Sequence, residues 1–523
     1  MTHLAVEGFA TPEFDYRLII PTLIVFGGAV FGVLVEAFLP RTSRRPVQLV
    51  LAFGALIGAS AYLLLVTIPH VAPGSVVRAG AQGTIMMDRP AVFLQALVLL
   101  LSLVAFLVFA ERRIDAGGDS FTPSAATIPG SVAERELTRA GVTQTEIWPL
   151  ALFSVAGMML FPAANDLLML FVALEVLSLP LYLMVGLSRR RRLLSQEAAL
   201  KYFLLGAFSS AFLLFGSALL FGYSGSISFA GINEAIGTNL ALDPLLLIGT
   251  ALVSVGLLFK IGAVPFHSWV PDVYQGSPTP VTAFMAAVTK VAAFGALLRV
   301  FYVALGDYSW DWRPIIWGAA ILSMVVGSVL AITQTDVKRI LAYSSIAQAG
   351  FILTGVAAAN TAGISSTLFY LVAYGFGTIG AFAVVTLVRD ASGEATHLSR
   401  WAGLGKRSPL LAGTFALFLL AFAGIPLTSG FTSKFAVFEA AASGGATALV
   451  IVGVLMSAVA AFFYVRVIVL MFFSEPAPDG PTIAVPSFFT TVAIAISVGV
   501  TVALGVVPSW VLELAGDSAV FLR

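Results

Sequence analysis

Residues 260–271 read Lys260-Ile-Gly-Ala-Val-Pro265-Phe-His267-Ser-Trp-Val-Pro271, and residues 424–434 read Gly424-Ile-Pro426-Leu-Thr-Ser-Gly430-Phe-Thr-Ser-Lys434. Both stretches break a long apolar run with Gly and Pro, and each carries one lysine. Unwound backbone at membrane depth is tolerated only where it is buried in protein or lines water. Gly and Pro are common in membrane helices, so either break alone says little. The pair says more. Pro265 and Pro426 are 161 positions apart, and the second break falls five apolar segments after the first. Five is odd, so the second unit runs opposite to the first. Matched broken helices in an inverted repeat are the best pointer to a transport site that a sequence offers.

Outward from the breaks, the chain holds fourteen apolar runs of roughly membrane-crossing length. They fall at 18–39, 47–68, 91–110, 147–163, 166–187, 199–222, 242–263, 279–303, 314–333, 339–358, 366–388, 408–444, 447–473 and 486–514. The twelfth is too long for one helix and contains the second break. Segments four to eight, 147–303, and nine to thirteen, 314–473, span 157 and 160 residues. The expected fold is an all-α polytopic membrane protein of about 14 transmembrane helices, with two inverted five-helix repeats, each containing a discontinuous helix. The expected division is three N-terminal helices in 1–111, a cytoplasmic linker in 112–146, repeats in 147–310 and 311–475, and a C-terminal helix in 476–523. The linker is rich in Gly, Ser, Thr, Pro and mixed charge and reads as partly disordered.

Only 11% of the 523 residues are charged, against roughly 25% in a soluble domain, which excludes a water-soluble globule. The net charge of +1 gives no reason to expect a nucleic-acid partner. No cysteine is present, so disulfides, thiolate metal sites and iron–sulfur clusters are excluded in this chain. The four histidines lie far apart and form no metal motif, and no phosphate-binding glycine loop occurs. Any nucleotide or redox chemistry is therefore expected on a partner. The first apolar run reads as a retained spanning helix. Basic clusters follow odd-numbered segments: Arg41, Arg44 and Arg45; Arg112 and Arg113; Arg189 to Arg192; Lys338 and Arg339; Arg400, Lys406 and Arg407. By the positive-inside rule these loops face the cytoplasm and both termini lie outside.

Of 28 basic residues only six are lysine. Lys201, Lys260, Lys290 and Lys434 lie in or at the edge of membrane-length segments, whereas Lys338 and Lys406 read as loop residues. Arginine stays protonated in a protein, while a desolvated lysine gives up its proton readily. Glu175 follows Asp166 by nine residues, which places it roughly 13 Å into a core about 30 Å thick. Lys290 is also near the midplane. Each such charge costs at least about 2.5–3.5 kcal/mol. The expected site is a lateral row of titratable groups, Glu175, Lys260, Lys290 and Lys434, in which a Glu175–Lys260 pair forms and breaks. Lys201, four residues after Glu197, is either a further relay or a snorkelling side chain. His267 is either a relay or a packed, hydrogen-bonded group. Tyr343, Ser344 and Ser345 either hold water or cap and pack. Glu439, five residues after Lys434, does no more than tune it.

Several stretches carry a family resemblance. They are Glu175-Val-Leu-Ser-Leu-Pro180-Leu-Tyr, Glu197-Ala-Ala-Leu-Lys201-Tyr-Phe, and Lys260-Ile-Gly-Ala-Val-Pro-Phe-His-Ser-Trp-Val-Pro-Asp-Val-Tyr-Gln-Gly-Ser-Pro-Thr-Pro280. Thr289-Lys290, Asp336-Val-Lys-Arg-Ile-Leu-Ala-Tyr-Ser-Ser345 and Gly424-Ile-Pro-Leu-Thr-Ser-Gly-Phe-Thr-Ser-Lys434-Phe complete the set. Together, through about residues 147–473, the chain resembles the antiporter-like membrane subunits of respiratory complex I, bacterial NADH–quinone oxidoreductase. Lys rather than Glu at 434 is similar to the N-type branch. The resemblance implies a half-channel pair in each repeat, Glu175 and Lys260 as coupling pair, Lys290 as central relay and Lys434 as the exit or hand-over group. It implies a bacterial inner membrane, proton pumping toward the side poor in basic loops, and neighbouring membrane and peripheral subunits that carry flavin, iron–sulfur clusters and quinone. Gln348 stands where many N-type subunits have histidine, so a histidine relay is not expected there. The 112–146 linker is longer than the usual connection. A second reading is a subunit of a multisubunit Na⁺/H⁺ antiporter, told apart by neighbouring genes. A third is a structural membrane scaffold, in which the polar row is dispensable.

Overall fold

The computed structural model describes residues 15–71, 79–80, 83–114, 118–238, 243–390, 393–476 and 480–522. The expected placement of the N-terminus rests partly on residues 1–14, which lie outside the described residues. The chain opens with α1 (Tyr16–Phe38), α2 (Arg41–His70) and α3 (Arg89–Phe109). A short helix, α4 (Val132–Arg139), occupies the polar stretch. Then come α5 (Ile147–Ala163), α6 (Leu167–Val185), α7 (Arg192–Ser224), the short α8 (Phe229–Ala235) and α9 (Asp243–Ile261). The first break separates α9 from α10 (Trp269–Gly276), and α11 (Thr279–Ala304) follows. The second unit holds α12 (Ser309–Thr333), α13 (Val337–Ala357) and α14 (Thr361–Leu387). It continues with α15 (Pro409–Ala423), the second break, α16 (Ser429–Ser443) and α17 (Thr447–Phe473). Helices α18 (Phe488–Val506) and α19 (Ser509–Asp517) end the chain. Twelve of these helices are long and apolar enough to cross a membrane, and α5 and α15 are shorter apolar ones. The fourteen expected segments are therefore all helical, and the twelfth is divided where expected.

The two units repeat in detail. Asp166 caps α6 by accepting from the Met169 N–H at 2.6 Å, and Asp336 caps α13 by accepting from the Arg339 N–H at 3.1 Å. A capping carboxylate satisfies an orphan N–H of the first helical turn. A Cβ on Gly157 would lie 2.3 Å from the Leu177 backbone nitrogen, and one on Gly327 would lie 2.5 Å from that of Ala347. Both pairs of positions are 170 residues apart, so α5 against α6 and α12 against α13 cross at the same close approach.

The breaks also match. Helix α9 stops at Gly262, with φ +78°, and α15 stops at Gly424, with φ +84°. In both, the glycine N–H and the next residue's N–H turn back to one carbonyl, Leu258 or Leu420, at 2.9–3.1 Å. This is a glycine C-cap, and a left-handed residue there ends the helix and frees its last carbonyls. Beyond the second break the backbones nearly touch: a Cβ on Gly430 would lie 1.7 Å from the Ala421 carbonyl oxygen. Gly430→Ala should therefore push α16 off α15 and lower the yield of assembled protein, which blue-native electrophoresis of membranes would read.

Helices α11, α13 and α14 form the buried centre, whereas α2, α17 and α18 are mostly exposed on the outside. Within α11 a π-helical turn, Met285–Thr289, immediately precedes Lys290. Such turns displace side chains from the regular helical register and are frequent at functional sites.

Two expectations fail. The 112–146 stretch, read as partly disordered, is ordered over its described part. Asp119 pairs with Arg189 at 2.8 Å, and the Arg192 guanidinium donates to the Thr127 carbonyl at 2.8 Å and to Glu134 at 2.9 Å. The arginines of the α6–α7 turn thus neutralise two of this segment's acids, Asp119 and Glu134, and bond its backbone, and Phe121 is buried. Lys338, read as a loop residue, is buried in the first turn of α13 and donates to the Ser277 carbonyl at 2.8 Å.

Candidate proton-conducting site

Lys260 sits in the last turn of α9 and is 3% exposed. Its ammonium donates to Ser178 Oγ at 2.7 Å and to the Tyr202 hydroxyl at 3.3 Å. It lies over the Tyr202 ring at 5.5 Å, a cation–π contact that partly replaces lost hydration. Ser178 comes from α6, one turn beyond Glu175. The expected Glu175–Lys260 pair is not closed: the two side chains make no ion-pair contact, and Glu175 Oε1 is buried without a hydrogen-bond partner. The reason is rotational. Glu175 is half-buried at the edge of the exposed stripe of α6 marked by Leu168, Val172, Leu179 and Leu183, whereas Ser178 is buried and bonds Lys260. The hydroxyl holds the lysine where the carboxylate was expected.

An aromatic strip runs on from Lys260. Trp269 stacks on Tyr202 at 4.7 Å and meets Tyr274 at 6.3 Å. The Tyr274 hydroxyl lies 3.4 Å from Ser345 Oγ. Lys290, buried in α11, donates to that same Ser345 Oγ at 2.6 Å and also to the Ser345 carbonyl. Ser345 Oγ in turn meets the Tyr374 hydroxyl of α14 at 2.8 Å. Of the three residues Tyr343, Ser344 and Ser345, it is Ser345 that holds the lysine. Ser344 bonds the Tyr464 hydroxyl of α17, and Tyr343 is only half-buried and stands outside the hydrogen-bonded set.

Gln348 carries the network on. Its amide donates to the Phe422 carbonyl at 2.9 Å and to the Tyr464 hydroxyl at 3.5 Å, and it accepts from Tyr370 at 2.5 Å. Lys434, in α16, donates to the Phe422 and Ala423 carbonyls at 3.0 Å each and to Ser457 Oγ at 2.9 Å. Those carbonyls are orphans because α15 ends there, and they form the negative end of its dipole. The second break thus supplies a cation seat made of backbone. Gly424 keeps it open, since a Cβ there would lie 3.0 Å from Lys434 Cδ.

The remaining candidates lie off this row. Lys201 is 43% exposed at its side chain and pairs with Glu197 at 2.7 Å and Asp272 at 2.8 Å. Asp272 also pairs with Arg339 at 2.8 Å, so Lys201 belongs to a surface clamp. Exposed pairs contribute about 0–1 kcal/mol. Lys201→Ala should leave assembly and NADH-driven proton uptake close to the parent level in inverted vesicles. His267 stands in the first break, half-buried, with Nδ1 unpartnered and Pro265 and Ser268 exposed beside it. Glu439 is exposed on α16. Among the described residues no group of three or more His, Asp or Glu side chains gathers that could hold a metal.

Sequence reading missed Ser178, Tyr202, Tyr374 and Ser457 as partners of the lysines, and Tyr464 as a link between Ser344 and Gln348. Ser178 was open to detection at one helical turn from Glu175. The tyrosines were not, because Tyr in an apolar helix is ordinary and only packing decides where its hydroxyl points.

The family model described as NADH:quinone oxidoreductase/Mrp antiporter, TM, matches residues 164–460. A Rhodococcus opacus protein named NADH-quinone oxidoreductase subunit N is 64% identical, over 98% of this chain and 97% of its own length. The Mycobacterium tuberculosis protein of the same name is 58% identical, over 98% and 99%. Among solved structures, a chain of respiratory complex I from Thermus thermophilus with bound aureothin is 32% identical. It covers 95% of this chain and 99% of its own, with a TM-score of 0.74. A chain of the Mrp complex from Dietzia sp. DQ12-45-1b shares the fold, with a TM-score of 0.79 over 97% of both chains at 24% identity. With identity this high over nearly the whole length, the chain belongs to the subunit N family of NADH–quinone oxidoreductases, one branch of the NADH:quinone oxidoreductase/Mrp antiporter membrane family.

Proposed function

We propose that protons cross this subunit along the row Glu175, Lys260, Lys290 and Lys434. The chain is a multi-pass, proton-translocating membrane subunit of an NADH–quinone oxidoreductase and acts with the other subunits of that complex. The observation that supports the route is a pair of hydrogen-bonded strings through adjacent residues of α13, one from Lys290 through Ser345 to Tyr374 and one from Ser344 through Tyr464 and Gln348 to the carbonyl that seats Lys434. A scaffold gains nothing from three buried ammonium groups, each of which is costly at membrane depth.

The chemistry follows from the seats. A charged Glu175 attracts the proton on Lys260, and a neutral or withdrawn Glu175 releases it. Ser178, bonded to Lys260 and one turn from Glu175, is the pivot on which contact between them is made or broken. A proton reaching Lys290 is passed by hydroxyl rotation toward Tyr464, and Lys434 receives it at the end of α15. Glu175, at the edge of an exposed apolar stripe, is placed to sense a charge on the neighbouring membrane subunit that covers that face.

Flavin, iron–sulfur clusters and quinone belong to partner subunits in this reading, consistent with a chain that has no cysteine. The basic turns face the cytoplasm of a bacterial cell, both termini lie outside, and protons leave on the outer side. The units follow the division 147–310 and 311–475, with the three N-terminal helices and the last helix as supports. The Na⁺/H⁺ antiporter reading has the shared family model and fold behind it but not the high-identity relatives, which are named subunit N, and is the weaker one.

The test is NADH-driven proton uptake in inverted vesicles carrying Lys260→Ala or Glu175→Gln, with assembly verified. Strong loss of uptake is expected in both. Full pumping with full quinone reduction in both variants would sink the route.

A further inference from the structure

Away from the lysine row, a cavity of about 440 Å³ opens where α1 ends and α2 begins, and its other wall is the polar stretch between α3 and α5. Small-molecule sites have volumes of about 300–1,000 Å³. The walls carry both signs of charge. Arg41 and Arg44 come from the start of α2, Glu36 from the last turn of α1, and Glu146 from the cap of α5. Part of this charge is used inside the protein. Glu36 accepts from Gln48 at 2.7 Å and lies 3.4 Å from Arg44, and Glu146 Oε2 accepts from Gln144 at 2.7 Å.

The rest is left without partners. The Arg41 guanidinium, Glu146 Oε1 and the hydroxyls of Thr42, Thr143 and Thr145 bond no described residue. Thr145 is only 6% exposed, and a buried hydroxyl is nearly always bonded. Helix α2 begins Arg41-Thr-Ser-Arg44-Arg45, with no acidic residue in its first turn and no capping side chain. Cations at a helix N-terminus oppose its macrodipole, and a bound anion relieves both. Across the cavity lie Glu146 and Leu137 and Ala140 at the end of α4, the negative pole of that helix. One wall therefore suits an anion and the other a cation. The cavity sits where two membrane-crossing helices end, at the level of lipid headgroups. Within two turns of Glu36, α1 exposes Phe31, Val33, Leu34 and Phe38, an apolar surface for acyl chains.

We propose that this cavity binds a phosphoethanolamine group, either as the headgroup of phosphatidylethanolamine or as the free solute. Its phosphate rests on Arg41, Thr42 and Arg44 at the start of α2, and its ammonium on Glu146 beside the end of α4. Both contacts are charge-assisted hydrogen bonds. A phosphocholine group has the same charges but no N–H to give the carboxylate, and a phosphoglycerol group has no cation. The site is separate from the proton row and does not depend on that route.

The test heats the full chain, purified in non-ionic detergent, while tryptophan fluorescence is followed. Phosphatidylethanolamine, phosphatidylcholine or phosphatidylglycerol is titrated into the micelles, and a parallel arm adds soluble O-phosphoethanolamine. A ligand of the native state raises Tm, and the rise saturates. Phosphatidylethanolamine is expected to reach half of its rise at a several-fold lower lipid fraction than the other two. The side chains of Arg41 and Thr145 bond nothing in the protein. Arg41→Gln and Thr145→Val should therefore melt like the parent without lipid, yet need several-fold more phosphatidylethanolamine. Glu146→Gln should lose the preference over phosphatidylglycerol. A saturating rise with the soluble compound alone, lost in Arg41→Gln, would make the free solute the source of the group. The proposal is overturned if neither form of phosphoethanolamine raises Tm, if another lipid does so equally well, or if Arg41→Gln and Glu146→Gln respond like the parent.

Discussion

Lys290→Ala is expected to abolish NADH-driven proton uptake while the complex still assembles. Lys290 is buried at the centre of the bundle, and its ammonium is the donor to both oxygens of Ser345. Alanine removes the ammonium that donates to Ser345 Oγ, the step at which the proposed route hands a proton to the Ser345–Tyr374 pair. It also leaves a hole, so Lys290→Met, which keeps the length, separates loss of charge from loss of volume. Lys290→Arg is the decisive variant. It keeps a cation over the Tyr374 ring, where Lys290 now lies at 5.1 Å, but arginine does not give up its proton in a protein. If Lys290 relays protons, Arg fails as Ala does. If the lysine only supplies positive charge to the fold, Arg restores uptake, and Lys290 drops out of the route.

Arg299→Ala is expected to prevent stable assembly. Arg299 is fully buried, and its guanidinium meets Asp88 at 2.5 Å and the Pro162 carbonyl at 2.7 Å. Asp88 also caps α3 and accepts from the Leu522 N–H at 3.2 Å, and the Phe521 ring covers the guanidinium at 5.0 Å. One ion pair therefore ties α3, the end of α5, α11 and the C-terminal residues together. Removing one partner of a buried pair strands the other charge, which costs about 3–5 kcal/mol. The stranded group here is a carboxylate that still serves two backbone donors. Arg299→Ala should lower the amount of assembled complex sharply, and the double variant Arg299→Met with Asp88→Asn should recover part of it. Assembly at the parent level in the single variant would show the pair to be dispensable.

Much of this protein is legible in one dimension. Helix number follows from the length of apolar runs, because a hydrocarbon core demands about 20 apolar residues and forbids unpaired backbone. The two breaks follow from Gly262 and Gly424, since residues with positive φ end helices and glycine enters that region freely. The expensive charges, Glu175, Lys260, Lys290 and Lys434, follow from their depth alone. What each charge touches does not follow. Lys260 is held by Ser178 from 82 positions away, and Lys290 by Ser345 from 55. Lys338 reads as a loop residue until α13 packs against the end of α10 and buries it. The 112–146 stretch reads as partly disordered, yet its described residues are held by Arg189 and Arg192 across the α6–α7 turn.

By itself the sequence determined where the helices run, where two of them break and which residues carry charge into the membrane. All of these depend on local length, hydropathy and backbone preference. Only the tertiary structure decided that Glu175 makes no ion-pair contact with Lys260, that Ser178 and Ser345 seat the lysines, that Lys434 rests on the freed carbonyls of α15 and that Lys201 lies in a surface clamp. The direction of a side chain around its helix axis is set by which neighbours the helix packs against. Those neighbours come from distant parts of the chain.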